Sequence, residues 1–398
     1  MTLRENIEKK VDSLLKDYQE IALEIHAKPE VSNYEFFASE RLSKKLKDEG
    51  FDVKVDVAGH RTGFDARYKS EIPGPTVVFY AEYDALAGIG HACGHNLFGA
   101  TSSLAAIGLK EVIDKIGGEI RVYGTPGEEG GENGSAKGSF VDKGFFDDVD
   151  FSLGVHPGYK HTPTSKSLGV YPVDVEFFGK AAHAAASPHE GINALDAVIS
   201  VFNNVNALRE HIQTDVRIHG IITDGGLAPN VVPDYAKAKF YLRAKYKPTL
   251  DKIYEKFENI VKAAALATGC KYKFGLFQNR VDNCIPTPLF DEVYEEELNY
   301  YGEELTPIDI DDAKGSSDVG NISQVVPVIQ PHISISDDLI IGHSIEFREA
   351  ARSKKGLDSI GLGAKVLANT AVNLILNPDK LEKIKEQHKK LVAEQGKW

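Results

Sequence analysis

A chain of 398 residues with 42% apolar content can bury two hydrophobic cores, and its length argues against one simple domain. Its formal net charge of -13 excludes functions built on neutralising phosphates, which need Lys and Arg clustered on one face. The three cysteines, Cys93, Cys270 and Cys284, are odd in number and far apart, so a disulfide framework is not expected and a reducing, cytoplasmic compartment is.

The N-terminal stretch places Leu3, Ile7, Val11, Leu14, Tyr18, Ile21 and Ile25 at the spacing of an amphipathic helix, without the apolar block of a secretory leader. No uninterrupted apolar run approaches the roughly 20 residues of a membrane span. Residues 76–84, 119–126 and 150–157 are predicted strands, and 96–117 is a helix burying Leu104, Ile107, Leu109 and Val112. This alternation predicts an α/β layer on a largely parallel sheet. Each strand runs straight into polar residues, and in open α/β sheets the ligand crevice lies beyond the carboxyl ends of the strands.

From residue 170 the order changes to strand 170–179, helix 193–212, strands 215–225 and 234–244, helix 249–267 and strand 271–277. That is the split order of a ferredoxin-like sandwich. After residue 284 the chain returns to the character of its first part, through a predicted helix at 361–376 and a solvated helix at 380–398. The expected domains are therefore 1–170 with 284–398, interrupted by 171–283.

Four polar clusters follow the predicted strands or lie in loops of the outer domain: Glu82-Tyr83-Asp84, the run from His91 to Asn96, Glu128-Glu129, and His156. His343 joins them from the returning segment. Cys93, His95, Glu129, His156 and His343 offer thiolate, imidazole and carboxylate, the ligand types of zinc and related ions. Five ligands exceed the needs of one tetrahedral ion and suit two divalent metals with a shared ligand, an arrangement used in hydrolysis. Hydrolysis needs a metal ligand and a separate base, and Glu128 and Glu129 can divide those tasks, with Gly127, Gly130 and Gly131 permitting a sharp turn. Each feature has an ordinary reading as well: a surface acid pair, a buried apolar thiol, a core imidazole, a surface histidine. Only their combination points to a site. Neither dinucleotide-binding nor P-loop glycine patterns occur, nor a Gly-x-Ser-x-Gly or His-Glu-x-x-His motif.

At GHACGHN, GTPGEEGG, GVHP, GKAAHAAASPHEGINALDA, APNVVPD, GSSDVGN and GHSIEFREAA the chain resembles the M20 family of metallopeptidases, in its amidohydrolase branch of aminoacylase-like enzymes and aminobenzoyl-glutamate hydrolases. The resemblance runs over nearly the whole chain. It implies a phosphorylase/hydrolase-like α/β catalytic domain interrupted by a ferredoxin-like lid and dimerisation domain. It also implies Cys93, His95, Glu129, His156 and His343 as metal ligands, with Cys93 bridging, Glu128 as general base and acid, and Asp84 orienting a ligand. Glu82 stands where the wider family has a metal-binding His, and His95 supplies the replacement ligand. By the same resemblance His183 stabilises the oxyanion in a partner subunit's site, and Asn230 and Arg243 contact substrate. In ordinary terms, these three are a loop histidine, a turn residue and a solvated strand end.

The function implied is metal-dependent hydrolysis of an amide or peptide bond in a small N-acyl amino acid or dipeptide by a cytoplasmic homodimer, with no nucleic-acid or membrane partner. Zinc suits the mixed donors best, with manganese, cobalt or nickel as alternatives. The competing reading is a catalytically inactive, metal-stabilised scaffold of the same fold. Asn96, where many relatives have Asp, points toward aminobenzoyl-glutamate or unusual dipeptides.

Overall fold

The computed structural model describes residues 1–309 and 315–395, which divide into two compact units, 1–167 with 284–394 and 168–283. The last three residues of the predicted C-terminal helix lie outside the described residues.

The first unit opens with α1 (Leu3–Ala27) and α2 (Phe36–Asp48), then β1 (Asp52–Val57), β2 (His60–Lys69) and β3 (Thr76–Ala81). It continues through α3 (His95–Ile116), β4 (Glu119–Gly124), α4 (Ala136–Asp142), β5 (Phe151–Leu153) and β6 (His156–Gly158). Helix α1 forms because Thr2 and Glu5 make a reciprocal capping box and its apolar stripe is buried. Helix α3 is buried along most of its length, as a central layer helix must be.

The inserted unit holds β7 (Gly169–Phe178), α5 (Ala194–Leu208), β8 (Arg217–Asp224), β9 (Tyr235–Ala244), α6 (Lys247–Thr268) and β10 (Lys271–Leu276). Its four strands pair antiparallel in the order β10-β7-β9-β8, the ferredoxin-like arrangement. Along β9, buried Ala236, Ala238, Phe240, Leu242 and Ala244 alternate with more open residues, so one sheet face carries the unit's core.

The chain then returns to the first unit as α7 (Pro288–Tyr300), α8 (Val319–Ser323), β11 (Val328–Ile329), β12 (His332–Ser334), α9 (Ile345–Ala350), α10 (Lys354–Leu376) and α11 (Pro378–Glu394). Its six-stranded sheet has the order β1-β2-β4-β3-β5-β11, with β4, β3, β5 and β11 mutually parallel and β1 and β2 antiparallel at one edge. Strand β2, HRTGFDARYK, has no apolar run and is invisible to pattern; its pairing with β4 makes it a strand. The predicted strand 76–84 stops at Ala81, because Glu82 and Asp84 leave the ladder to serve other partners. Helix α10 is long and apolar enough to cross a membrane by length and composition alone, but 78% of its most apolar window is buried, as in a core helix. Helix α11 is not fully solvated: Leu381, Ile384 and His388 are buried.

Candidate metal centre and active site

Parallel pairing of β4, β3 and β5 puts their carboxyl ends on one edge, and the candidate residues follow from that edge. Glu82 and Asp84 follow β3, Glu128 and Glu129 follow β4, and His156 follows β5 after a short step. His95 is the first residue of α3, entered through Gly94 in the left-handed region (φ 79°); a Cβ at Gly94 would lie 2.8 Å from Pro157. His343 also has a positive φ of 64°, uncommon for a side chain with a Cβ, and its N–H donates to the Ala92 carbonyl at 2.9 Å. Backbone strain at a candidate ligand is held in place by that bond.

These residues come together. Ligand atoms of Cys93, His95 and His156 lie within 4.8 Å of one another, as do those of Cys93, Glu129 and His343. A further set, His95, Glu128 and Glu129, meets the same limit. The first two sets use each of the five expected ligands and share only Cys93. Two of the three imidazoles are set by a hydrogen bond at the other nitrogen: His95 Nδ1 to Asp84 Oδ1 at 2.9 Å, and His156 Nδ1 to the Pro157 carbonyl at 2.8 Å. Both rings thus turn Nε2 inward, the usual support for a metal-ligating histidine. His156 Nε2 lies 3.5 Å from Cys93 Sγ, and His343 Nε2 3.4 Å from Glu129 Oε2.

Two buried atoms aimed into the cluster, His95 Nε2 and Glu129 Oε1, have no hydrogen-bond partner among the described residues. Burial pushes the Cys93 thiol well above its ordinary range, and the neighbouring His95 ring works in the opposite direction, as a bound cation would. Unpaired donor atoms together with a sulfur, nitrogen and oxygen ligand set fit divalent metal ions. Burial, then the charges of Glu82 and Glu129, raise Glu128 well above the usual carboxylate range. Its carboxyl stands beside His95 and Glu129 without joining the two sets that share Cys93, a place from which it can exchange a proton with a bound water. Asp84 is held below its ordinary value: burial opposes ionisation, but the His95 ring and the Glu129 N–H at 2.9 Å outweigh it.

The glutamate turn is braced by residues that sequence reasoning missed. Glu35 Oε1 accepts the Gly127 N–H at 3.0 Å, and its Oε2 accepts the Thr62 hydroxyl at 2.7 Å. Asn33 donates to the carbonyls of Glu132 and Asn133, and His60 Nδ1 lies 2.8 Å from Asn33 Oδ1. Gly127 has a φ of +69°, and a Cβ there would come within 2.3 Å of Ser32 Oγ. No short motif marked these residues, because they act on the turn from 73 to 100 positions away.

Burial lowers His60 to about 4, helped by Lys143. The folded state therefore binds fewer protons than the unfolded chain, and stability contributed by neutral His60 is lost as pH falls from about 6.5 to about 4. Between pH 7 and 4, the wild type is expected to lose on the order of 3 kcal/mol more than His60→Gln in denaturant melts. Equal losses in the two proteins would refute this.

The remaining candidates belong to the inserted unit. His183 is exposed, and its Nδ1 accepts the N–H groups of Ala185 and Ala186 at 3.2 and 3.1 Å, which in the neutral ring puts the proton on Nε2. The Asn230 carbonyl accepts the Ala184 N–H at 3.0 Å, so the His183 loop and the Asn230 turn are joined. Arg243 lies on β9 directly across from Arg217 on β8, with its Nε donating to His219 Nε2 at 3.3 Å. Asn96 is turned to structure: its amide donates to the carbonyls of Ala22 and Ala351.

Comparison with known proteins agrees with this architecture. Residues 168–269 match the peptidase dimerisation domain of the M20 family. The chain is 36% identical to the mouse Xaa-Arg dipeptidase over 80% of its own length and 75% of the relative's. It is 29% identical to a subunit of the Escherichia coli p-aminobenzoyl-glutamate hydrolase, over 95% and 93% of the two chains. Among solved structures, the aminobenzoyl-glutamate utilization protein of Klebsiella pneumoniae superimposes with a TM-score of 0.71 at 18% identity, covering 92% of this chain and 98% of the other. A dinuclear metal-binding M20 peptidase of Bacillus subtilis gives 0.59 at 18% identity, over 91% and 99%. The chain belongs to the M20 family of metallopeptidases and amidohydrolases.

Proposed function

We propose that this hydrolase cleaves the amide bond of a dipeptide or N-acyl amino acid at two divalent ions, held by Cys93, His95 and His156 and by Cys93, Glu129 and His343. The sharing of Cys93 between two sets of ligand atoms, each within 4.8 Å, carries the reading. Bound ions would acidify water and polarise the scissile carbonyl. Glu128 removes the proton of the attacking water and returns it to the leaving amine. Asp84 keeps the His95 ring turned inward, and Glu129 binds metal beside the base.

Zinc is the favoured ion, because thiolate and imidazole donors suit it, with manganese, cobalt or nickel able to compete. Arg243 pairs with a substrate carboxylate, and Asn230 supports the adjoining turn. Three unpaired cysteines agree with a cytoplasmic location. The names of the relatives define the substrate panel: dipeptides ending in Arg, aminobenzoyl-glutamate and N-acetyl-cysteine. Stripped protein reloaded with each metal is expected to hydrolyse at least one of them, in proportion to metal restored. Full metal uptake without turnover on any member would favour the scaffold reading.

The chain acts as a homodimer through the inserted unit, and His183 donates its Nε2 proton to the oxyanion in the partner's site. Loss of such a donor typically costs about 10² to 10³ in rate. His183→Ala and Glu128→Gln are each expected to be nearly inactive, yet an equimolar reassembled mixture regains about a quarter of wild-type activity, because half the dimers carry one intact composite site. A mixture that stays inactive despite proven subunit exchange removes the trans role.

A further inference from the structure

Beneath the ligand cluster lies a buried group of charges that the proposed reaction does not use. Lys137, Glu82 and Asp318 are each 0% exposed. Lys137 Nζ meets Glu82 Oε1 at 2.8 Å and Asp318 Oδ1 at 2.5 Å, while Asp318 Oδ2 accepts the Lys137 backbone N–H at 3.1 Å. Asp318 thus grips Lys137 at both ends and cancels its charge. One negative charge remains, and its place is fixed. Glu82 Oε1 takes both available donors, Lys137 Nζ and the Gln330 amide at 3.2 Å. Glu82 Oε2 takes none: it has no hydrogen-bond partner among the described residues and faces the equally unpartnered His95 Nε2 at 3.3 Å.

Charge balance gives that oxygen a task. The set of Cys93, His95 and His156 offers a divalent ion only one formal negative charge, on a thiolate it shares with the second set, which adds Glu129. Two divalent ions would thus exceed the charge of their five ligands. Glu82 belongs to none of the three ligand groups, although its Oε2 lies 3.3 Å from His95 Nε2, and we give it no coordination position. It supplies negative charge beside the poorer set without occupying a coordination position. A buried ion pair is seldom kept for stability alone, since apolar replacements are often as stable.

We propose that Glu82 is a positioning residue that compensates charge at the Cys93, His95 and His156 set, with Lys137, Asp318 and Gln330 as the frame that turns its free oxygen to the site. This rests on the metal reading above. The test measures Zn²⁺ affinity by competition with a chromophoric chelator, on full-length protein whose folding is checked by thermal melting. Four proteins are compared: wild type, Glu82→Gln, the Lys137→Met/Asp318→Asn double variant, and a triple variant carrying all three changes.

The net charge of the group is retained in the double variant and removed in the other two. Glu82→Gln and the triple variant are expected to bind one of two Zn²⁺ ions roughly 10- to 100-fold more weakly, while the double variant, which keeps Glu82 and its Gln330 contact but loses part of the frame, is weakened less than either. If Glu82→Gln does not fold, the triple variant against the double gives the same comparison without the buried Lys137–Asp318 pair. Wild-type affinity in every charge-removed variant that folds overturns the proposal. So does a double variant weakened as much as the triple, which would make the frame responsible and not the charge. Wild-type protein that takes up no Zn²⁺ overturns the metal reading itself, and that result is seen before any variant is made.

Discussion

Glu128→Gln is expected to lower kcat by about 10² to 10⁴, the span associated with loss of a positioned general base, while KM and metal content stay near wild type. The amide keeps the shape of the carboxylate but cannot hold the proton between attack and departure of the amine. The geometry makes metal content the decisive second measurement. Glu128 Oε2 lies 4.0 Å from His95 Nε2 and belongs to one ligand group with His95 and Glu129, but to neither of the two that share Cys93. Retained metal with lost turnover separates a base from a ligand. A Glu128→Gln protein that loses an ion would reassign Glu128 to the metal, and one that turns over at near wild-type rate would remove it from the chemistry.

Cys93→Ala is expected to disturb both ions at once, because Cys93 is the only residue common to the two groups. The loss in affinity should exceed the roughly 10- to 100-fold that follows removal of an outer partner, since a direct ligand is gone and two like charges are left without the anion between them. Metal analysis after dialysis against chelator should then show less than one ion per chain, with activity lost in parallel. His343→Ala offers the contrast, since His343 belongs to one group only and is exposed at the rim. It is expected to release one ion and spare the other. If Cys93→Ala retains two ions, the thiol is not the shared ligand.

The elements of the inserted unit were legible in the chain to within a few residues. Strand β9 alternates between a buried and an open face, and the two helices carry long apolar stripes, so local pattern and tertiary environment agree there. The parallel strands β3, β4 and β5 were legible for a related reason, as apolar runs buried on both faces. Strands β1 and β2 were not. Strand β1 pairs only with β2, and β2 pairs with β4 50 to 60 residues further on, a partner of which its polar sequence gives no sign.

The same division holds at the site. Sequence determined the ligand types, their order along the chain and the pairing of Glu128 with Glu129 in a glycine-rich turn, because donor chemistry and backbone freedom are properties of residues. Only the tertiary structure decided which candidate ligands converge, that Cys93 joins the two groups holding all five of them, and that Asp84 and the Pro157 carbonyl set the rings of His95 and His156. It alone exposed the bracing of the turn by Glu35, Asn33 and His60, and the buried charges of Glu82, Lys137 and Asp318. The physical reason is distance along the chain. Lys137 and Asp318 are 181 residues apart in sequence, and a hydrogen bond between them exists only once the sheet has brought its strand ends to one edge.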